Sequence, residues 1–406
     1  MDNQTNQNLN PANPVPELKQ NISLPPEPRV FLKPKVIISA LVGILILVGL
    51  GVGSYYLWEN YNPPFVTKPI NFAVMLHLEG GGFTIADEKQ FNAMNSELKQ
   101  VIDLFSKYDA KITIESESPY TEAVSKWGNN QLTYALEKGM GVGTHNDVMR
   151  VNSQEEPVNS YKSVKAKVDA IVGAENNIGC SGGWVAGYDW AVAAHKAGFS
   201  YLDGAVMVAA LSVPEKNRPI NPDTGKPFTD TEIGFNIPNN YMHDPLPPDL
   251  KDRMYPRRLK DTNDLIGDDS GVLLMTGELE ELSVMSEGRK NCFPGCRLTK
   301  DDTDTLFKNI DYANSIKDNT KVSLLYFHFG LGTIGFPAKE DNLKIVEDWL
   351  SKMQEYQNEG KIKWMTMKEV YEEYNEKNPS ANGTTPCGDG VCEGPEIASL
   401  CPTDCK

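Results

Sequence analysis

Two hydrophobic periods alternate along most of this chain. The apolar run INFAVMLHL from Ile70 reads as a buried strand, and Phe91, Met94, Leu98, Val101, Ile102 and Phe105 then recur at the 3.6-residue spacing of one helix face. The strand KITIE, a helix near Leu132 to Leu136 and a short strand at Gly141-Val142-Gly143 follow. Tyr161, Val164, Val168, Ile171 and Val172 line another helix; AVAAHKAGFSYLDG reads as helix, glycine stop and strand; GVLLMTG and VSLLYFHF are later strands. In the last unit Leu343, Val346, Leu350 and Met353 mark a helix ending at Gly360, IKWM a strand, and Thr366-Met367-Lys368-Glu369 has capping-box spacing for a final helix. Such alternation over residues 70–378 predicts an α/β domain with a parallel sheet. Residues 212–270 break the rhythm with prolines, asparagines and aspartates, which predicts a long loop insertion over one end of the sheet.

The ends of the chain follow different patterns. Residues 1–35 hold seven prolines, six asparagines and three glutamines without apolar periodicity, and predict a disordered tail that cannot offset its ordering entropy by burial. Residues 36–58, VIISALVGILILVGLGVGSYYLW, carry no charge over 23 positions and are long enough as a helix to cross a hydrocarbon core of ~30 Å. Tyr55, Tyr56 and Trp58 suit the headgroup region. Arg29, Lys33 and Lys35 precede the span and the next basic residue is Lys68, so the N-terminus is expected in the cytoplasm and the main domain outside the cell membrane. The other reading is a cleaved signal peptide with its small residues at Gly51-Val52-Gly53-Ser54. Either one exports everything beyond residue 59; residues 59–69 are a linker.

Charge and cysteine usage agree with export. Among 406 residues, 55 acidic against 39 basic side chains give a net charge of −16, which argues against a general grip on nucleic acid phosphates. A mean hydropathy of −0.40 excludes a polytopic transporter. All seven cysteines lie beyond the span, as expected in an oxidising compartment. Cys292 and Cys296 form one local group and four more crowd the last twenty residues, which leaves Cys180 as the expected buried free thiol.

Three of the five histidines fall at strand ends, where ligands bind in parallel βα folds. His77 and Glu79 share a strand face and precede Gly80, Gly81 and Gly82; His145 and Asp147 follow a short strand; His328 ends another. Imidazole and carboxylate at these places suit zinc. His195, between alanines on a helix, reads as packing or surface, and His243 lies in the proline-rich insertion. Glu278, Glu280 and Glu281 either line the cleft or form a solvated strand end.

Over roughly residues 70–375 the order of these segments resembles the polysaccharide deacetylase family, the NodB-homology domains of carbohydrate esterases. The resemblance rests on MLHLEGG, LFSKYDAKITI, ALEKGMGVGTH, AHKAGFSYLDG, a late strand ending in histidine, and EGKIKWMTMKEVYEEY. It implies a distorted (β/α) barrel, here expected to follow the one transmembrane helix read from residues 36–58, and metal-dependent removal of acyl groups from amino-sugar polymers such as a polysaccharide or peptidoglycan. Glu79 falls at the family's metal-binding Asp and His145 at its first metal histidine, while Leu78 stands at the catalytic-base Asp and Met149 at the second histidine. SGGW at 181–184 occupies the place of the family's arginine-proline motif. Zinc needs three protein ligands, so His77 or Asp147 is expected to complete the set with Glu79 and His145. Asp147 or His77 is the expected base, and His328 the acid that protonates the leaving amine. Trp184, Asp189 and Trp190 are the expected substrate-binding residues, with Trp190 either a sugar platform or core. The losses at Leu78 and Met149 favour a rival reading, a catalytically inactive carbohydrate-binding or scaffold protein on the same fold.

A linker at 379–386 leads to CGDGVCEGPEIASLCPTDC. Four cysteines in nineteen residues cannot enclose a core, so covalent staples or an ion must hold residues 387–406 together. The segment resembles small Cys-Gly-Asn-Gly-x-Cys-Glu repeats near the ends of secreted proteins. Asp389, Glu393, Glu396 and Asp404 are oxygen donors suited to calcium; two disulfides among Cys387, Cys392, Cys401 and Cys405, without an ion, satisfy the same sequence.

Overall fold

The computed structural model describes residues 68–78, 87–147, 153–183, 188–234, 241–263, 265, 271–288, 296–331 and 340–378. The tail, the span at 36–58, most of the first linker, the second linker and the cysteine motif at 387–406 lie outside the described residues. Among the described residues no helix is long and apolar enough to cross a membrane.

The alternating periods fold into helices around one curled sheet. Its strands are β1 Ile70–Leu78, β2 Thr113–Ser116, β3 Gly141–His145, β4 Gly179–Ser181, β5 Tyr201–Leu202, a separate hairpin of β6 Ile220–Asn221 and β7 Lys226–Pro227, then β8 Arg257–Leu259, β9 Val272–Leu274, β10 Leu324–Gly330 and β11 Ile362–Trp364. The order is β10-β1-β2-β3-β4-β5-β9-β8, with β11 on the first residues of β1. Every pairing in this sheet is parallel except β8 on β9. All nine residues of β1 are buried, as in a parallel sheet covered on both faces. Beyond β9 the chain reaches β10: Tyr326 N donates to Gly277 O at 3.0 Å and Leu279 N to Tyr326 O at 2.8 Å. The sheet is thus a mixed α/β half-barrel whose far end returns to its beginning.

Local chemistry sets the helix ends. Asp87 caps the helix Glu88–Lys107 through Gln90 N, and Phe91, Leu98, Val101, Ile102 and Phe105 are buried as their spacing predicts. The box at Thr366 and Glu369 opens the helix Met367–Lys377, with Thr366 N donating to Glu369 at 2.7 Å. Val346, Trp349, Leu350 and Met353 of the helix Glu340–Asn358 are buried, but Leu343, in the first turn, is 38% exposed. Gly179 is dictated by packing, since a Cβ there would lie 2.0 Å from the Tyr201 ring.

The insertion is not a bare loop. It holds short 3-10 turns, the β6–β7 hairpin, the helical turns Asp230–Ile233 and Leu250–Arg253, and β8. Phe228, Ile233, Leu246, Leu259 and Leu265 pack with Trp190 and Met207 in a second hydrophobic cluster. These apolar residues are too irregularly spaced to show a period, so the sequence alone reads them as loop.

Candidate metal centre

Parallel strands deliver one polar side chain after another to the C-terminal mouth of the sheet. Register places His77 of β1 beside Glu115 of β2, Glu115 beside Gly143 of β3, and His145 beside Ser181 of β4. A Cβ on Gly143 would press on Glu115 Cγ at 3.2 Å, so the glycine makes room for that carboxylate. Asp203 follows β5, Glu278 follows β9, and His328 lies on β10.

These groups form one cluster. His77 Nε2 lies 3.1 Å from Glu115 Oε2, and the His77 ring stacks on His145 at 4.3 Å between centroids and on His328 at 5.3 Å. Ser181 Oγ donates to Glu115 Oε2 and stands 2.7 Å from His145 Nδ1. Ligand atoms of His77, Glu115 and His145 lie within 4.8 Å of one another, and a second such group at the rim joins His145 to Glu117 and Asp147. His328 Nδ1 is 2.5 Å from Glu278 Oε1.

Burial raises the electrostatic stakes. Glu115 and Asp203 are both fully buried. Burial alone would raise Glu115, but the hydrogen bond and charge of His77 outweigh it and hold this carboxyl below the usual range. Burial and the neighbouring Glu115 charge push Asp203 well above the usual range, which favours its protonated form. Glu115 Oε1 and both Asp203 carboxylate oxygens have no hydrogen-bond partner among the described residues. Two imidazoles and a carboxylate, one of its oxygens in need of a partner, fit a divalent metal of the zinc type, since His₂Glu is an established catalytic zinc set.

The expected site residues are only partly brought together. His77, His145 and His328 meet; Asp147 stands at the rim, its side chain 57% exposed and its Oδ1 3.6 Å from His145 Nε2. Glu79 and Trp184 lie outside the described residues. Trp190 is fully buried and its Nε1 donates to Ala209 O, so it is core rather than a sugar platform. Asp189 caps the helix Trp190–Lys196 through Val192 N and accepts from Thr262 N at 3.1 Å, a structural use of both carboxylate oxygens. Glu278 is buried against His328, not a solvated strand end. His195 is part-buried on its helix, and His243 lies in the insertion. Cys180 is free and buried, with burial pushing its thiol up, as expected of an inert cysteine. Cys296 is disulfide-bonded, while Cys292 lies outside the described residues.

Glu115, Ser181 and Asp203 were not legible as site residues. The one available signal was a charge ending the apolar run KITIE and another ending FSYLD, each on a strand predicted to be covered on both faces.

No family model and no curated protein matches the chain. Among solved structures it is similar to a polysaccharide deacetylase from Pseudomonas aeruginosa PAO1, at 12% identity over 79% of this chain and 97% of that one, with a TM-score of 0.48. A polysaccharide deacetylase from Mycobacterium smegmatis matches at 8% identity over 77% and 92%, TM-score 0.46. A 4-alpha-glucanotransferase from Thermococcus litoralis matches at 12% identity over 75% of this chain and 38% of that one, TM-score 0.43.

Proposed function

We propose that this chain is a metal-dependent deacylase of amino-sugar polymers, built on a distorted (β/α) barrel of the polysaccharide deacetylase type. The observation that carries the reading is the convergence of His77, Glu115 and His145, from three separate strands, on one buried point. In this reading Glu115 supplies a carboxylate ligand, and His77 completes the set that the family resemblance leaves short of a second histidine. A divalent metal held there would polarise an acyl carbonyl and acidify a water. Asp147, beside the ligand set and open to solvent, is the carboxylate in position to take a proton from an attacking water. His328, steadied by Glu278, faces the same mouth and supplies a proton to the leaving amine.

In this reading residues 36–58 anchor the protein in the cell membrane with its N-terminus inside, and the domain works on polysaccharide or peptidoglycan outside. Cys292 pairs with Cys296, and two disulfides, or calcium on Asp389, Glu393, Glu396 and Asp404, hold the C-terminal motif.

The test is metal content of the purified chain by mass spectrometry, together with acetate release from N-acetylglucosamine oligomers. One equivalent of zinc in the natural chain, lost in Glu115→Gln and His145→Ala along with acetate release, is the expected result. A folded natural chain that takes up no divalent metal and still binds the oligomers refutes the hydrolase and leaves a carbohydrate-binding module, the reading that Leu78, wholly buried at the place of the family's base, favours.

A further inference from the structure

The SGG segment at 181–183, which stands where the family resemblance expects an arginine-proline motif, has a definable role in this chain. We infer that Ser181 is a positioning residue whose hydroxyl, held between His145 Nδ1 and Glu115 Oε2, keeps the His145 proton on Nδ1 and leaves the lone pair on Nε2, the nitrogen beside Asp147. Only the functional consequence rests on the metal-centre reading; the tautomer itself rests on the hydrogen bonds.

Proton counting fixes the tautomer. A carboxylate only accepts, and a serine hydroxyl has one hydrogen to give. Ser181 Oγ spends that hydrogen on Glu115 Oε2. Its contact with His145 Nδ1 at 2.7 Å must then be one in which Ser181 accepts, so the hydrogen lies on Nδ1. A neutral imidazole with its proton on Nδ1 carries its lone pair on Nε2, the nitrogen on the side of Asp147, whose Oδ1 is 3.6 Å away.

The local fold holds this chain of bonds in place. Ser181 is 1% exposed and is the register partner of His145 across β3 and β4, so its Cβ has little freedom. Asn146 N donates to Ser181 O at 3.1 Å, tying the end of β4 to the residue after His145. Gly182 follows at φ +79°, and a Cβ there would meet Asn146 O and Asp147 Oδ1 at 3.0 Å. The serine orients the ligand, and the glycine lets the strand that carries it approach. Outer partners that fix the tautomer of a ligating histidine typically change metal affinity by about 10–100-fold.

The experiment uses the full-length chain labelled with ¹⁵N-histidine, stripped of metal and held at a pH where imidazoles are neutral. Long-range ¹H–¹⁵N spectra are expected to show His145 with a protonated Nδ1 and an unprotonated Nε2. Ser181→Ala is expected to shift His145 toward the Nε2-protonated form and to weaken zinc binding, measured against a chromophoric chelator, by about 10–100-fold. Ser181→Thr, which keeps the hydroxyl, is expected to restore both. An Nε2-protonated His145 in the natural chain, or an unchanged tautomer in folded Ser181→Ala, overturns the inference. If Ser181→Ala does not fold, as thermal unfolding will show, the natural chain's spectrum decides alone. An Nδ1-protonated His145 in a chain that binds no zinc supports the inference while sinking the metal reading, so the two failures are distinguishable.

Discussion

Replacing Asp203 by asparagine is expected to stabilise the metal-free protein at neutral pH, although it removes a group from the heart of the site. Asp203 is fully buried and, beside Glu115, its carboxyl keeps a proton that an unfolded chain would release near pH 4. A folded pKa raised above the unfolded one contributes stability that is complete below the unfolded value and declines as pH rises toward the folded value, because only the folded state binds the proton in that window. The decline is about 1.4 kcal/mol for every pH unit. An asparagine side chain has no such proton to lose, and its amide offers a donor as the protonated acid would. The Asp203→Asn variant and the natural chain should therefore be of similar stability at pH 4, and the variant should gain on the natural chain by up to about 1.4 kcal/mol per unit above it. Urea unfolding of both chains, stripped of metal, at pH 4, 5, 6 and 7 measures the difference directly. Parallel pH profiles, or a variant less stable at pH 7 than at pH 4 relative to the natural chain, would refute the claim that Asp203 is buried as an acid.

Three further outcomes follow from the same contacts. Gly179→Ala drives a methyl into the Tyr201 ring and should cost about 1–3 kcal/mol or more in urea unfolding, part of which Tyr201→Leu in the same chain should recover; a neutral Gly179→Ala would show that the β4–β5 packing is wrong. Trp190→Ala should cost about 3–5 kcal/mol while zinc affinity stays unchanged, because the indole fills the second core; lost oligomer binding at unchanged stability would return it to the substrate site. Burial and the hydrogen bond to Asp311 push the Tyr356 hydroxyl up to about 12, so its contribution to stability should fade as pH rises from about 10 toward 12. Tyr356→Phe should flatten that part of an alkaline unfolding profile, and an identical profile in both chains counts against the buried contact.

The strands β1, β2, β3, β5, β9, β10 and β11, the capped start at Thr366 and the buried face running from Phe91 to Phe105 were legible in the sequence alone. They depend on periods of two and 3.6 residues and on side chains three or four positions apart, and these are local properties. The same locality made His77, His145 and His328 legible, since a histidine that ends an apolar strand of a parallel sheet must sit at its binding edge. The partners of those histidines were decided only by tertiary structure. Glu115 meets His77 because parallel strands separated by a whole helix pair in one register, and a slip of one residue would turn the carboxylate to the other face. Asp203 and Glu278 reach the same mouth because the sheet curls back on itself, and Trp190 left the candidate site because the insertion folded a second core over it. Burial and proximity across the chain follow from that closure, and no period along the chain records it.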